Sequence, residues 1–165
     1  MKNNIYTENV VIREFKKCDV AVFEEWLYKD YIKQWFGDPK EWLDEVNNDD
    51  GKFDWINHFI VEYDSAPIGF CQYFDCKNAP EGFGWEKEPP GTFSIDYLIG
   101  EEAFLRKGIG SVIIQKLIAL ITARENPKSI IADPVKENKD SIKLLEKNGF
   151  TFDETSGFHK IAILK

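Results

Sequence analysis

Histidine and cysteine are scarce in this chain, and long apolar runs are missing altogether. The two histidines, His58 and His159, lie far apart in sequence, which argues against a histidine-based metal site. The three cysteines, Cys18, Cys71 and Cys76, are an odd number without disulfide or zinc spacing. A reducing, cytoplasmic setting is the simplest expectation. No apolar stretch approaches the ~20 residues that a membrane-spanning helix needs. Met1 to Tyr6 lacks the apolar core of a secretory leader, so none is expected. There is no internal repeat and no low-complexity segment. Basic residues are outnumbered, 21 against 29 acidic ones, so the basic face of a nucleic-acid binder is not expected.

The chain does have a core. A hydrophobic fraction of 43% and an aromatic fraction of 15% in 165 residues are globular values, and one domain over 1–165 is expected. The net charge of -8 modestly favours a cationic or polyamine-like partner, although acidity also serves solubility. The expected state is a monomer or homodimer.

Periodicity then sets out the elements. Asn9 to Phe15 alternates as a strand, and Val20 to Trp35 carries a helical stripe at Val22, Phe23, Trp26, Leu27 and Tyr31. Gly37 to Pro39 breaks the chain, and Glu41 to Val46 is a second helix. Phe59 to Tyr63 and Ile68 to Phe74 form a hairpin turning at Asp64 to Pro67. Lys77 to Gly91 is a long loop, a frequent location of function. Thr92 to Ile99 is a strand, and a helix follows from Gly108 past Ile121. Ser129 to Ala132 is a short buried strand, Lys139 to Lys147 a helix stopped by Asn148 and Gly149, and Phe158 to Leu164 a last strand. Helices after the fourth and fifth strands imply right-handed crossovers on a mixed sheet, hence an α/β fold.

Gly108-Ile109-Gly110-Ser111 opens a helix just after a strand that carries Asp96. A glycine turn at a helix start leaves backbone N–H groups without intrahelical partners, and with the helix dipole they make a phosphate seat. Gly110 is expected against the phosphates, so an aspartate there would repel them. Arg106 and Lys107 stand ready to reach phosphates, and Ser111 either donates its hydroxyl or caps the helix. The site thus points to a nucleotide-bearing cofactor whose reactive end meets Asp96. On the strand, Ser94, Asp96 and Leu98 share one face, and Ile95, Tyr97 and Ile99 the other. A carboxylate placed like Asp96 can hold an alkylammonium and take its proton, directly or through water. N–H groups near Leu98 and Ile99 are candidates to polarise an acyl carbonyl.

The order of elements, the Arg106 to Ser111 loop and the segment Asn138 to Phe150 resemble the GNAT acetyltransferase superfamily over nearly the whole chain. Leu105 stands where that family's loop has Gln or Arg. The resemblance implies a mixed six- to seven-stranded sheet flanked by about four helices, acetyl-CoA as donor, no metal, and Asn138 and Ser141 along the cofactor arm. Within the superfamily the chain is similar to the aminoglycoside 6'-N-acetyltransferases at Glu25 to Leu27, Trp35 to Gly37, Pro67 to Gly69, Gln72-Tyr73, Ile95-Asp96 and Asp133-Pro134. Trp85-Glu86 with Pro90-Gly91 resembles their acidic substrate loop. The resemblance implies Asp96 as base or anchor and Asp133 as an ammonium ligand. Trp85, on its loop, is the candidate substrate wall, with Glu86 beside it, whereas Trp26 belongs to the core. Several relatives carry a tyrosine at the place of Leu145 that can protonate the leaving thiolate. Here water protonates it, or the cofactor departs as thiolate. The expected activity is acetyl transfer to a primary amine of a small polycation, first an aminoglycoside 6'-amine. Other acceptors (a polyamine, a siderophore precursor, a protein N-terminus) and a non-catalytic acyl-CoA sensor are the alternatives.

Overall fold

A computed structural model describes residues 4–164. Seven strands form one sheet in the order β1-β2-β3-β4-β5-β7-β6: β1 Val10–Glu14, β2 Ile56–Tyr63, β3 Ala66–Asp75, β4 Thr92–Ile99, β5 Ser129–Ala132, β6 Thr151–Phe152 and β7 His159–Ala162. Among the described residues only β4 and β5 pair in parallel. The α/β class and the strand count agree with expectation. The strand that periodicity does not reveal is β6, which has two residues, both exposed, and hence no apolar alternation to read. The β2–β3 hairpin turns tightly on Asp64 and Ser65, both at positive φ, so β3 resumes at Ala66 rather than after Pro67.

Among the described residues there are five α-helices, α1 Val20–Leu27, α2 Asp30–Phe36, α3 Pro39–Asn47, α4 Ile109–Glu125 and α5 Lys139–Lys147. The single helix expected over Val20 to Trp35 is therefore two. The chain breaks at Lys29, whose backbone is extended and whose Nζ donates to the Gly100 carbonyl at 2.7 Å. Trp26 Nε1 donates to Glu101 at 2.8 Å, and the Tyr31 hydroxyl to Ile99 O at 2.9 Å. A continuous helix would not bring Trp26 and Tyr31 to the same strand end. Helix α3 starts at Pro39, two residues before the expected Glu41, because Asp38 caps it by accepting from Lys40 N and Pro39 fills the first turn.

The sheet has a core on each face. Ile95 and Phe93 pack with Ile109, Ile113 and Leu117 of α4, while Leu98 packs on the other side with Phe23, Trp26 and Phe70. Adjacent β4 residues therefore serve different cores, as a period of two requires.

One topological fact positions the site. On its β3 edge, β4 stays paired up to Ile99, opposite Gly69. On its β5 edge, pairing stops at Ser94, opposite Ile131. Strand β5 ends at Ala132, because Asp133-Pro134 follows and proline has no N–H to continue the ladder. The sheet forks there, and Asp96 stands just inside the fork.

Candidate active site

A pocket fills this fork. Ile95, Asp96 and Tyr97 of β4 form one wall, and Ala132 to Val135 beyond β5 form another. Trp35, Phe36 and Trp42 close it on the α2–α3 side, and Asn138, Ser141 and Leu145 on the α5 side. Trp42 is fixed by donating Nε1 to Phe36 O at 2.7 Å, with the two rings edge-on at 5.1 Å.

The acids of this region differ from those elsewhere. Structural acids are paired: Arg13 grips Asp19 through two 2.8 Å bonds and Glu62 at 2.6 Å, and the Asp19 carboxyl is held below its ordinary range mainly by that guanidinium. Lys160 likewise meets Glu88 at 2.7 Å. Around the pocket no lysine or arginine of the described residues forms an ion pair with Asp96, Asp133 or Glu45. Burial pushes Asp96 up to about 6, against the pull of its Gln72 hydrogen bond, and Asp133 pushes it further. Burial also raises Asp133. Glu45 of α3 is pushed up to about 7 by burial and by Asp96, and its Oε2 is buried without a partner. The charge of Asp133 thus bears on Asp96 and that of Asp96 on Glu45, while His159 draws Asp133 back down against its burial.

Asp96 is held in place from behind. Gln72 of β3 donates Nε2 to Asp96 Oδ2 at 2.9 Å, and its Oε1 lies 3.0 Å from His58 Nδ1. Since the Gln72 oxygen can only accept, His58 carries its proton on Nδ1. Burial keeps that ring neutral, with its pKa lowered, and leaves Nε2 without a partner. Gln72, Glu45 and His58 were not anticipated as site residues. His58 and Gln72 sit opposite each other across β2 and β3, and Gln72 opposite Asp96, a register that no local pattern contains.

The start of α4 lies on the other side of the fork. Gly108, at φ +81, turns the chain into the helix, and no side chain caps it. The first helical N–H group with a backbone acceptor is that of Val112, which donates to Gly108 O, so those of Ile109, Gly110 and Ser111 remain open as donors. Arg106 and Lys107 are exposed beside them. Ser111 does not cap α4; its Oγ accepts from Asn148 Nδ2 at 3.0 Å and keeps its own proton to give. Gly110 faces inward: a Cβ there would lie 2.6 Å from Leu144 Cδ2 of α5. Asn138 caps α5 by accepting from Ser141 N.

A model of the acetyltransferase (GNAT) domain family matches residues 16–158. The chain belongs to the GNAT acetyltransferase family. Aminoglycoside N(6')-acetyltransferase type 1 of Klebsiella pneumoniae is 26% identical over 153 residues, covering 87% of this chain and 74% of the relative. The structure of aminoglycoside acetyltransferase AAC(6')-Ib in complex with coenzyme A superposes with a TM-score of 0.79 at 25% identity, covering 93% of this chain and 94% of that one. A structure of AAC(6')-Ib with Parmomycin and AcetylCoA gives the same TM-score and identity over 93% of each chain.

In this GNAT domain the fork brings Asp96, Asp133, Asn138 and Ser141 together around one pocket, with Leu98 and Ile99 on the β4 stretch beyond the last β5 rung. It does not bring Trp85 and Glu86 there. Trp85 packs edge-on against Phe74 at 5.1 Å, within a third core cluster that includes Ile131 and Phe158. Glu86 accepts from the N–H groups of Gly82 and Gly84 and shapes its own loop. The aromatic wall of the pocket is Trp35, Phe36 and Trp42 instead. Sequence shows an exposed-looking loop tryptophan but not the apolar hollow that receives it. Among the described residues, no helix is long and apolar enough to cross a membrane.

Proposed function

We propose that this GNAT domain transfers the acetyl group of acetyl-CoA to a primary amine of a small polycation, first among them the 6'-amine of an aminoglycoside. The unpaired acids Asp96, Asp133 and Glu45 around the fork carry this reading, because only a multiply charged cationic acceptor would relieve all three. The relatives and their bound molecules point the same way. The donor fits the residues present: the uncapped start of α4 offers the N–H groups of Ile109, Gly110 and Ser111, and Arg106 and Lys107 add positive charge for a pyrophosphate. Successive N–H groups of a regular strand face opposite edges, so one of Leu98 and Ile99 is directed at the open side of the fork, where an acetyl carbonyl oxygen would accept. Asn138, on the pocket wall, is assigned to the arm of the donor in this reading.

The reaction then follows from charge and geometry. An alkylammonium with a pKa near ~10 is inert until deprotonated. Asp96, held by Gln72, binds the ammonium and receives its proton as nitrogen attacks. Asp133 and Glu45 hold further positive charge, and Trp35 and Trp42 supply flat apolar surface for the ring that bears it.

A pH dependence with a definite sign follows. Asp96 must be ionised to act as anchor and base, and its pKa stands at about 6 with Glu45 near 7. Turnover per KM of the acceptor should rise through this range and level off above it, as read in initial rates across pH. A profile that is flat from pH 5 to 8 would remove both acids from the chemistry.

The deciding experiment is thiol release from acetyl-CoA against kanamycin-type aminoglycosides, polyamines, lysine derivatives and short peptides. Fast release that requires a free 6'-amine is the expected result. Release driven only by another amine class would move the acceptor, and tight donor binding without amine-dependent release would make the domain a sensor.

A further inference from the structure

Acetyl transfer from a thioester leaves sulfur holding the electron pair of the broken C–S bond, and a proton donor within reach lowers that barrier. Leu145, fully buried in the pocket wall, has no proton to give. A phenol from a different element reaches the same space. Tyr97 follows Asp96 on β4 and so projects from the opposite face of the sheet. Its hydroxyl lies 3.0 Å from Ser141 Oγ on α5, and Tyr97, Ser141 and Leu145 line the pocket together. Elsewhere the sheet would separate the two faces. Beyond Ser94 there is no β5 rung, so Asp96 and Tyr97 address one continuous space from its two sides.

We propose that Tyr97 donates the proton to the departing sulfur, with Ser141 orienting its hydroxyl. This rests on the acetyltransferase reading above. The amine is held on the Asp96 side and the sulfur departs on the Tyr97 side. The N–C bond forms, the C–S bond breaks, and the phenolic proton passes from Tyr97 Oη to sulfur. The tyrosinate then regains a proton originating from the amine, so one proton is released overall and no further reactant is needed. Burial pushes the Tyr97 phenol up to about 12, against the Ser141 hydrogen bond, so it stays protonated at neutral pH. A cationic acceptor beside Asp96 draws that value down, and a thiolate released into the same buried space is a stronger base than in water, so the two approach each other. The Ser141 hydroxyl, an aliphatic alcohol, is the weaker acid of the pair and serves as the orienting partner.

The test is Tyr97→Phe, which keeps the ring and removes only the hydroxyl. Thiol-release kinetics, calorimetric binding of coenzyme A and thermal melting are measured on it and on the wild type. The expected result is a fall in kcat of about 10- to 100-fold, with coenzyme A affinity and melting temperature unchanged. Ser141→Ala, which leaves the phenol in place but unaligned, should show a smaller fall of about threefold. A Tyr97→Phe enzyme as fast as the wild type would mean that water protonates the sulfur, and the proposal fails. A kcat loss matched by an equal loss of coenzyme A affinity would make Tyr97 a wall of the donor channel, and the proposal fails equally. If the wild type itself shows no amine-dependent release, the acetyltransferase reading fails first, which separates the two.

Discussion

Asp96→Asn should lower kcat by about 10²- to 10⁴-fold at neutral pH, the range for loss of a general base. The substitution is nearly isosteric, and the new side-chain oxygen still accepts from Gln72 Nε2, so the 2.9 Å bond that positions it survives. Only the charge and the basic site go. Coenzyme A affinity should therefore hold within about twofold, because the donor is bound by the start of α4 rather than by this carboxylate. Stability should move the other way. The folded pKa of Asp96, about 6, lies above its ordinary value of 3.8, so the native state binds the proton more tightly than the unfolded chain does. Native stability thus falls as pH rises from about 4 to 6, and the cost persists above that window. Asp96→Asn removes this cost, a gain of roughly 2 kcal/mol at most at pH 7.5 because the carboxylate also faces the open pocket. The gain should vanish near pH 4. A variant that is less active and also less stable at pH 7.5 would mean that Asp96 supports the fold, and the catalytic assignment would lapse.

Gly110→Asp should be the most damaging single change in the donor half of the site, through packing rather than phosphate repulsion. Its Cβ would meet Leu144 Cδ2 at 2.6 Å, in the seam where Asn148 also ties α5 to Ser111. Overpacking alone costs about 1–3 kcal/mol. An unpaired carboxylate forced into that seam adds several more. A loss of about 4 kcal/mol or more corresponds to a melting temperature lower by roughly 10 °C in a chain of this size. Gly108→Ala is the control. Nothing lies within 4 Å of a Cβ at Gly108, so the cost is the left-handed backbone alone, about 1 kcal/mol. Thermal melts of the two variants with and without coenzyme A separate the causes. If Gly110→Asp melts like the wild type but no longer binds coenzyme A, Gly110 faces the phosphates and the packing account is wrong.

These two glycines show how far local pattern reaches. A Gly-x-Gly turn into a helix is readable in sequence because the need for positive φ and open N–H groups is local. Which glycine serves the turn and which serves the α4–α5 seam is decided by Leu144, thirty-four residues away in a different helix. The split of α1 from α2 has the same origin. The apolar stripe from Val20 to Trp35 is continuous in sequence, but Lys29 and Tyr31 bond to carbonyls at the end of β4.

By itself the sequence determined most of the alternation of strands and helices, the glycine turn into α4 and the presence of a carboxylate on β4. Each rests on residues within a few positions of one another, where periodicity and turn chemistry act. Tertiary structure alone decided that β4 and β5 part at Ser94, that Glu45 and Gln72 join Asp96, that Trp85 enters a core, and that a tyrosine on β4 shares the pocket with Leu145. The physical reason is the same throughout. Burial, and with it every raised carboxyl and unpaired charge at the site, depends on which distant segments exclude water from a residue, and strand register and helix packing set that.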